Sequence, residues 1–461
     1  MSPALSRRAL LGLAPSLMTS LGGCFRPALA GRLWLPETGG TPAAGRISRD
    51  QATFAAGVWS GDPTHNSVVI GTRCFAEPGV LSRGLALCVR ELGSSDTVQG
   101  VRKIQCETTA EGFVYAKVEA LRPARRHAYS FATSDGRHSA IGWFATAPEA
   151  HESPTVSFVA TSCSNVRFGP FASLVHAAHS GPVDFWVHAG DHAYCDGAHG
   201  LEALRERYLD HWSTDGLRAL HACAAGYSTW DDHEVGNNWT PETTHPQRIA
   251  EARRVMLEHN AIGRDGDGRE PIRERLWRSF AWGRTLELFV LDTRGERRRR
   301  GIATPEYISR AQLQWLIEGV RGSRARFKII VNPVPIARFE GLFRLAQSDG
   351  WLGYSAQREV LLDAIRDVPG VLFLSGDYHV GVSARVERSG PYAHLRELLV
   401  GAAGSFMNPA TQALVGPQWD FVTTSFSTAR ITCDPHLDGG TLRAVYLDDG
   451  GRAIYDDVIR C

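Results

Sequence analysis

The chain has 461 residues, 43% of them hydrophobic and 21% charged, which is material for two to three domains with full cores. Lys plus Arg is 50 against Asp plus Glu at 49, a formal net charge of +1. That balance provides no global field for nucleic acid or an anionic membrane, and the one basic run, Arg297–Arg300, is too short to supply one.

Residues 1–30 read as an export signal. Arg7-Arg8 precedes an apolar stretch running to about Leu21, too short to span a bilayer and similar to a twin-arginine signal. The twin-arginine export machinery is then an expected partner, and the periplasm or the cell exterior the expected location. Leu21-Gly22-Gly23-Cys24 resembles a lipobox, which would place a lipid anchor on Cys24; plain cleavage near Ala28-Leu29-Ala30 is the alternative. Nine cysteines are present without a CxxC pair, so a zinc ribbon has no support. Residues 31–50, rich in Gly, Pro and Ala, read as a linker.

Residues 51–150 carry short β runs separated by turn residues: Ser67–Arg73, Leu85–Val89, Phe113–Val118 and His127–Thr133. This spacing predicts a small antiparallel β-sandwich of fibronectin or immunoglobulin style. Residues 151–461 read as a second, α/β domain. Apolar strands are predicted at Thr155–Ala160, Val183–Ala189, Leu286–Leu291, Phe327–Val331 and Val371–Leu374, with a helix over Phe171–His179. Polar residues follow the carboxyl ends of these strands again and again. In α/β sheets that edge is where ligands bind.

The densest polar stretch is Thr229–Trp239, with Asp231, Asp232, His233, Glu234, Asn237 and Asn238 held between tryptophans. Such groups are costly beside apolar neighbours unless a cation or a reaction uses them. The candidate ligands are Cys163, Asp191, Tyr194, Asp232, Asn332, Asp377 and His379. Hard oxygen donors suit Ca2+, Mg2+ or Mn2+, while phenolate with thiolate suits Fe3+. Two cations sharing a carboxylate can clamp a phosphate oxygen and acidify a water; Asp191 is the candidate bridge. Each residue alone has an ordinary reading: a Gly-Asp turn, a packed tyrosine, a buried thiol.

Gly190-Asp191-His192-Ala193-Tyr194 resembles the GDxxY block of calcineurin-like metallophosphatases. The fuller set resembles the PhoD-type alkaline phosphatase and phosphodiesterase branch: Phe54–Pro63, Thr161-Ser162-Cys163, Trp230–Asn238, Leu291-Asp292-Thr293-Arg294 and Leu374–His379. The resemblance implies a four-layer α/β/β/α domain after the sandwich, and hydrolysis of phosphate mono- or diesters by a metal-bound hydroxide. It implies Fe3+ on Cys163, Asp191 and Tyr194 with Ca2+ beside it; Mn2+ or Zn2+ are alternatives on the same groups. Asp232 takes the slot of a metal-binding Asn and His233 that of the catalytic His. Asp377 and His379 fall in a GHxH-like block, and Asn332 in the slot of a metal-binding His. Arg294 is a candidate to neutralise a phosphate oxygen, or else a structural ion-pair partner. Cys195-Asp196 departs from the family pattern after Tyr194 and leaves Cys195 open to a disulfide, with Cys223 as the partner considered. The charged stretch Thr240–Arg275 matches no family block. The rival readings are a surface-anchored binding protein with an inactive metal platform, and a hydrolase of another ester, a sulfate or a lipid headgroup.

Overall fold

The structure is a computed structural model that describes residues 53–93, 97–265, 270–271, 275–299, 303–339, 349–407 and 418–460. The expected export signal, lipobox and linker lie outside the described residues.

Period-two alternation builds the first layers. Leu85–Leu92 buries Leu85, Leu87 and Val89, and Arg126–Ala132 buries Tyr129 and Phe131. The sheet they form runs in the order Val98–Cys106, Leu85–Leu92, Arg126–Ala132, Gly142–Ala145. Its apolar face shares one cluster with Val58, Val68, Ile70 and Val114, which come from Val58–Gly61, Val68–Arg73 and Phe113–Val118. The boundary expected at residue 150 does not divide the sheet. Val58–Gly61 pairs in parallel with Ala225–Ser228, at Gly61 opposite Gly226. Side chains are excluded there, because a Cβ on Gly61 would lie 2.6 Å from the Ala261 carbonyl and one on Gly226 would lie 2.1 Å from the Trp186 ring.

The nine-stranded sheet therefore runs Ala453–Arg460, Thr441–Asp448, Ser427–Asp434, Val156–Thr161, Phe185–His188, Ala225–Ser228, Val58–Gly61, Val68–Arg73, Phe113–Val118. Its centre is parallel. A seven-stranded sheet runs Arg278–Trp282, Leu286–Val290, Phe327–Asn332, Val371–Ser375, Arg396–Val400, Gly381–Arg385, Trp419–Thr423. Strands buried on both faces must be near-continuous apolar runs, and Phe158, Phe185, Val290, Val331 and Leu374 fill the layer between these two sheets. On the outer face of the first, Leu174, Leu204, Trp212, Leu220 and Met256 pack down from Ala172–His179, Gly200–Trp212, Asp215–Cys223 and Pro246–His259. On the outer face of the second, Leu316, Leu361 and Ile365 do so from Arg310–Gly322 and Ser355–Ile365. The layers are helix, sheet, sheet, helix. Among the described residues no helix is long and apolar enough to cross a membrane.

Candidate metal centre

The parallel strands of both sheets deliver their carboxyl ends to one place. Thr229 Oγ1 donates to the Leu291 carbonyl at 2.7 Å and Trp230 Nε1 to Asp292 Oδ1 at 2.8 Å, which ties the loop after Ala225–Ser228 to the one after Leu286–Val290. The turns are tight. Cys163, Asp191, Asp377 and His379 all take positive φ, between 54° and 65°. Non-glycine residues rarely do so, and such strain gathers at functional sites. Gly190, at φ 110°, lets Asp191 approach: a Cβ there would sit 2.6 Å from Asp231 Cβ.

Three groups of ligand atoms result, each within 4.8 Å: Cys163 with Asp191 and His379; Asp191 with Asp232 and His233; Asp231 with Asp232 and Asp377. They overlap at Asp191 and at Asp232, so one chain of donors runs through the site. The Tyr194 hydroxyl joins the first group, 3.2 Å from Asp191 Oδ2, 3.2 Å from His379 Nε2 and 3.1 Å from Ser405 Oγ. His379 Nδ1 faces the Phe406 carbonyl at 2.7 Å, which leaves Nε2 for a ligand, as an outer partner on a metal-binding imidazole would. Asp231 Oδ2 and Asp232 Oδ1 are buried without a hydrogen-bond partner. Buried carboxylate oxygens are seldom left so, and a cation would satisfy them. The donor set fits metal ions.

His233 stands at the edge of the donors. Its Nδ1 lies 2.6 Å from Asp196 Oδ2, its backbone N–H donates to Asp191 Oδ1, and its ring stacks on Tyr194 with centroids 4.1 Å apart. Burial alone would lower its pKa. The Asp191 charge and the Asp196 hydrogen bond overcome that and raise it to about 10. Cations on the same carboxylates would offset this pull.

Burial, with the charges of Asp232 and Asp231, pushes Asp191 up to about 8 against the pull of His233. Asp377 moves up for the same first reason, with Asp231 adding to it. A carboxyl raised in the folded state costs the metal-free chain stability as pH climbs from the ordinary carboxylate range to about 8. Its proton must also leave before a cation enters. Cation affinity should therefore rise with pH up to about 8, with protons released on binding. Calorimetric titration in two buffers of different ionisation enthalpy checks this; equal heats in both, with a flat pH dependence, would contradict it.

The structure brings Cys163, Asp191, Tyr194, Asp232, His233, Asp377 and His379 together, and three expectations are revised. Asn332 is at its expected strand end, but its side-chain nitrogen donates to the Val334 carbonyl and its oxygen accepts from Trp351 Nε1 at 2.9 Å. The amide braces the wall and is not a free donor. Arg294 is 0% exposed, and its contacts are those of the structural ion-pair partner, the second of its two expected roles. It pairs with Asp231 at 2.5 Å and Asp349 at 2.6 Å, with Asp232 and Asp377 3.9 and 3.8 Å away. It is the cation around which the acidic residues are packed. Cys195 and Cys223 are both free thiols rather than a disulfide, and Cys223 Sγ instead faces the Leu220 carbonyl. Sequence reasoning missed Asp231, although it sits within the densest polar stretch. It also missed Glu234, which accepts from the backbone N–H groups of His192 and Asp231 at 2.7 and 3.0 Å.

A family model described as PhoD-like phosphatase matches residues 158–437, and one described as PhoD-like phosphatase, N-terminal domain, matches residues 40–148. The chain is 26% identical over 378 residues to alkaline phosphatase D of Bacillus subtilis (strain 168), an alignment that takes in 71% of this chain. The chain spans 64% of the length of that relative. Among solved structures it resembles that of PhoD, with TM-score 0.71 and 22% identity over 87% of this chain and 92% of the other. It also resembles a purple acid phosphatase from yellow lupin (Lupinus luteus) seeds, with TM-score 0.63 and 12% identity over 87% and 74%. At these identities the structural likeness is one of fold.

Proposed function

The chain belongs to the PhoD-like phosphatase family, and we propose that it is a metal-dependent hydrolase of phosphate mono- or diesters. One observation carries the reading: three donor groups overlap at Asp191 and Asp232, with two buried carboxylate oxygens awaiting a partner. Cys163, Asp191 and Tyr194, anionic and polarisable once deprotonated, suit Fe3+. Asp231, Asp232 and Asp377 offer hard oxygens that suit Ca2+, with Mn2+ or Zn2+ as alternatives. Such cations supply charge neutralisation at the phosphoryl oxygens and acidify the attacking water.

The chain's own groups do the rest. Asp196 fixes the His233 ring through Nδ1, so Nε2 is the atom that holds a phosphate oxygen or protonates the leaving alcohol. As the bond from water oxygen to phosphorus forms, that water gives up a proton to solvent, the ester bond breaks, and the His233 proton passes to the departing oxygen. Arg294, paired with Asp231 and Asp349, keeps the acidic loops in place. Export is supported by Arg7-Arg8 and the apolar run behind them, and the twin-arginine route, which carries folded proteins, suits a chain that loads metal first.

A panel of a phosphomonoester, a phosphodiester and a sulfate ester tests the proposal. Phosphate-ester hydrolysis that a chelator abolishes and added metal restores is the expected result. A folded, metal-loaded chain that cleaves none of the three would favour a binding protein, and preference for the sulfate would assign another ester.

A further inference from the structure

Two loops leave the donor cluster side by side. Ser164 and Gly404 form a parallel bridge, the Gly404 N–H donates to the Cys163 carbonyl at 3.2 Å, and the Asn165 N–H donates to the Gly404 carbonyl at 2.7 Å. One loop continues into the short turn Val166–Phe168, capped by Asn165. The other continues through Ser405, which touches Tyr194 and His379, to Phe406. Both end in phenylalanine. The rings of Phe168 and Phe406 meet edge to face at 4.7 Å, and Phe426 stands 6.0 Å behind Phe168. Phe406 is nevertheless 68% exposed. Its backbone carbonyl faces His379 Nδ1 at 2.7 Å, and contact with Phe168 covers only a small part of the ring.

We propose that Phe406, propped by Phe168, is an aromatic subsite that stacks the flat aromatic alcohol portion of the substrate while its phosphate lies on the donor cluster. The inference rests on the phosphoesterase reading for where the phosphate sits. The Phe406 carbonyl holds the backbone beside His379 and Phe168 props the ring, one residue from a side chain, Ser405, that touches two candidate ligands, so a group attached to a bound phosphate on that side meets the exposed ring. Aromatic side chains favour offset or edge-to-face partners beyond the area they cover, and stacking tolerates many ring systems.

The test compares phenylphosphonate with methylphosphonate, neither of which is hydrolysed, by calorimetric titration of the metal-loaded full chain. Wild type should bind the phenyl compound roughly 3- to 10-fold tighter. In Phe406→Ala the ratio should fall close to one, and in Phe406→Tyr it should persist. The substituted side chain is largely in solvent, so both variants should fold, and circular dichroism verifies this. No preference in wild type, an unchanged ratio in Phe406→Ala, or no binding of either compound overturns the subsite. Hydrolysis of a simple phosphate ester is scored separately. A persistent phenyl preference in a chain that hydrolyses nothing would sink the catalytic reading and leave the aromatic subsite standing.

Discussion

Replacing His233 with alanine should cut turnover of a phosphate ester by roughly 10²–10⁴ while metal content per chain stays close to that of wild type. The ring is at the edge of the donors, not at their centre. Asp191 and Asp232 each belong to a second ligand group that does not include His233, so the cations retain their anchors. What disappears is the proton carrier. Asp196→Asn separates that role from mere packing. An amide still fills the space and can hydrogen-bond Nδ1, but it no longer supports the ring's charge. Turnover should fall roughly 10- to 100-fold, and although Asp191, the larger influence, still raises the His233 pKa, the contribution of Asp196 is gone. The limb of the pH–rate profile that reports His233 deprotonation should move to lower pH. Steady-state kinetics across pH on both variants measures this. Full turnover in His233→Ala would end the proposed role, and an unmoved pH profile in Asp196→Asn would reduce Asp196 to a packing residue.

Arg294→Leu should destabilise the chain by about 3–5 kcal/mol, the range seen when one member of a buried ion pair is removed. The guanidinium is fully buried and bonded to Asp231 and Asp349. Leucine leaves those carboxylates, and the nearby Asp232 and Asp377, without their cation. Asp231 and Asp377 already stand above the ordinary carboxylate range, chiefly through burial, and in each case Arg294 pulls them down. Without it they should hold protons to still higher pH. The deficit should therefore shrink as pH falls and they become neutral, and bound metal should repay part of it. Urea unfolding of metal-free and metal-loaded chains at two pH values gives the numbers. A loss below about 1 kcal/mol, within reach of an ordinary surface change, would contradict the central place given to Arg294.

How much of this could be read beforehand depended on the distance between partners. The strands ending at Thr161, His188, Asn332 and Ser375 are short apolar runs closed by polar residues, a local pattern, and the sequence placed each within a residue or three. The clustering of Cys163, Asp191, Tyr194, Asp232, Asp377 and His379 followed from that shared edge. Asp196 is the counter-example. It read as a departure from a family pattern, yet its carboxylate holds His233, 37 residues on. Arg294 was legible as an ion-pair candidate but not as a buried one, because its partners Asp231 and Asp349 lie 63 and 55 residues away. The C-terminal strands show the same limit. Ser427–Asp434 alternates buried and half-buried positions in its second half, a pattern visible in sequence. That it pairs with Val156–Thr161, and so completes the catalytic sheet, is a contact between residues more than 260 apart. Asn332 does end its strand, but the Trp351 N–H that takes its oxygen comes from 19 residues on and was not legible.

The most direct test of the metal centre is elemental analysis of the full chain purified without chelators. The account predicts about two or more metal ions per chain, iron among them if Cys163 and Tyr194 act as ligands, and their loss on replacing Asp191 with alanine. A folded chain that carries no metal, or one whose metal content ignores the Asp191 replacement, would contradict it.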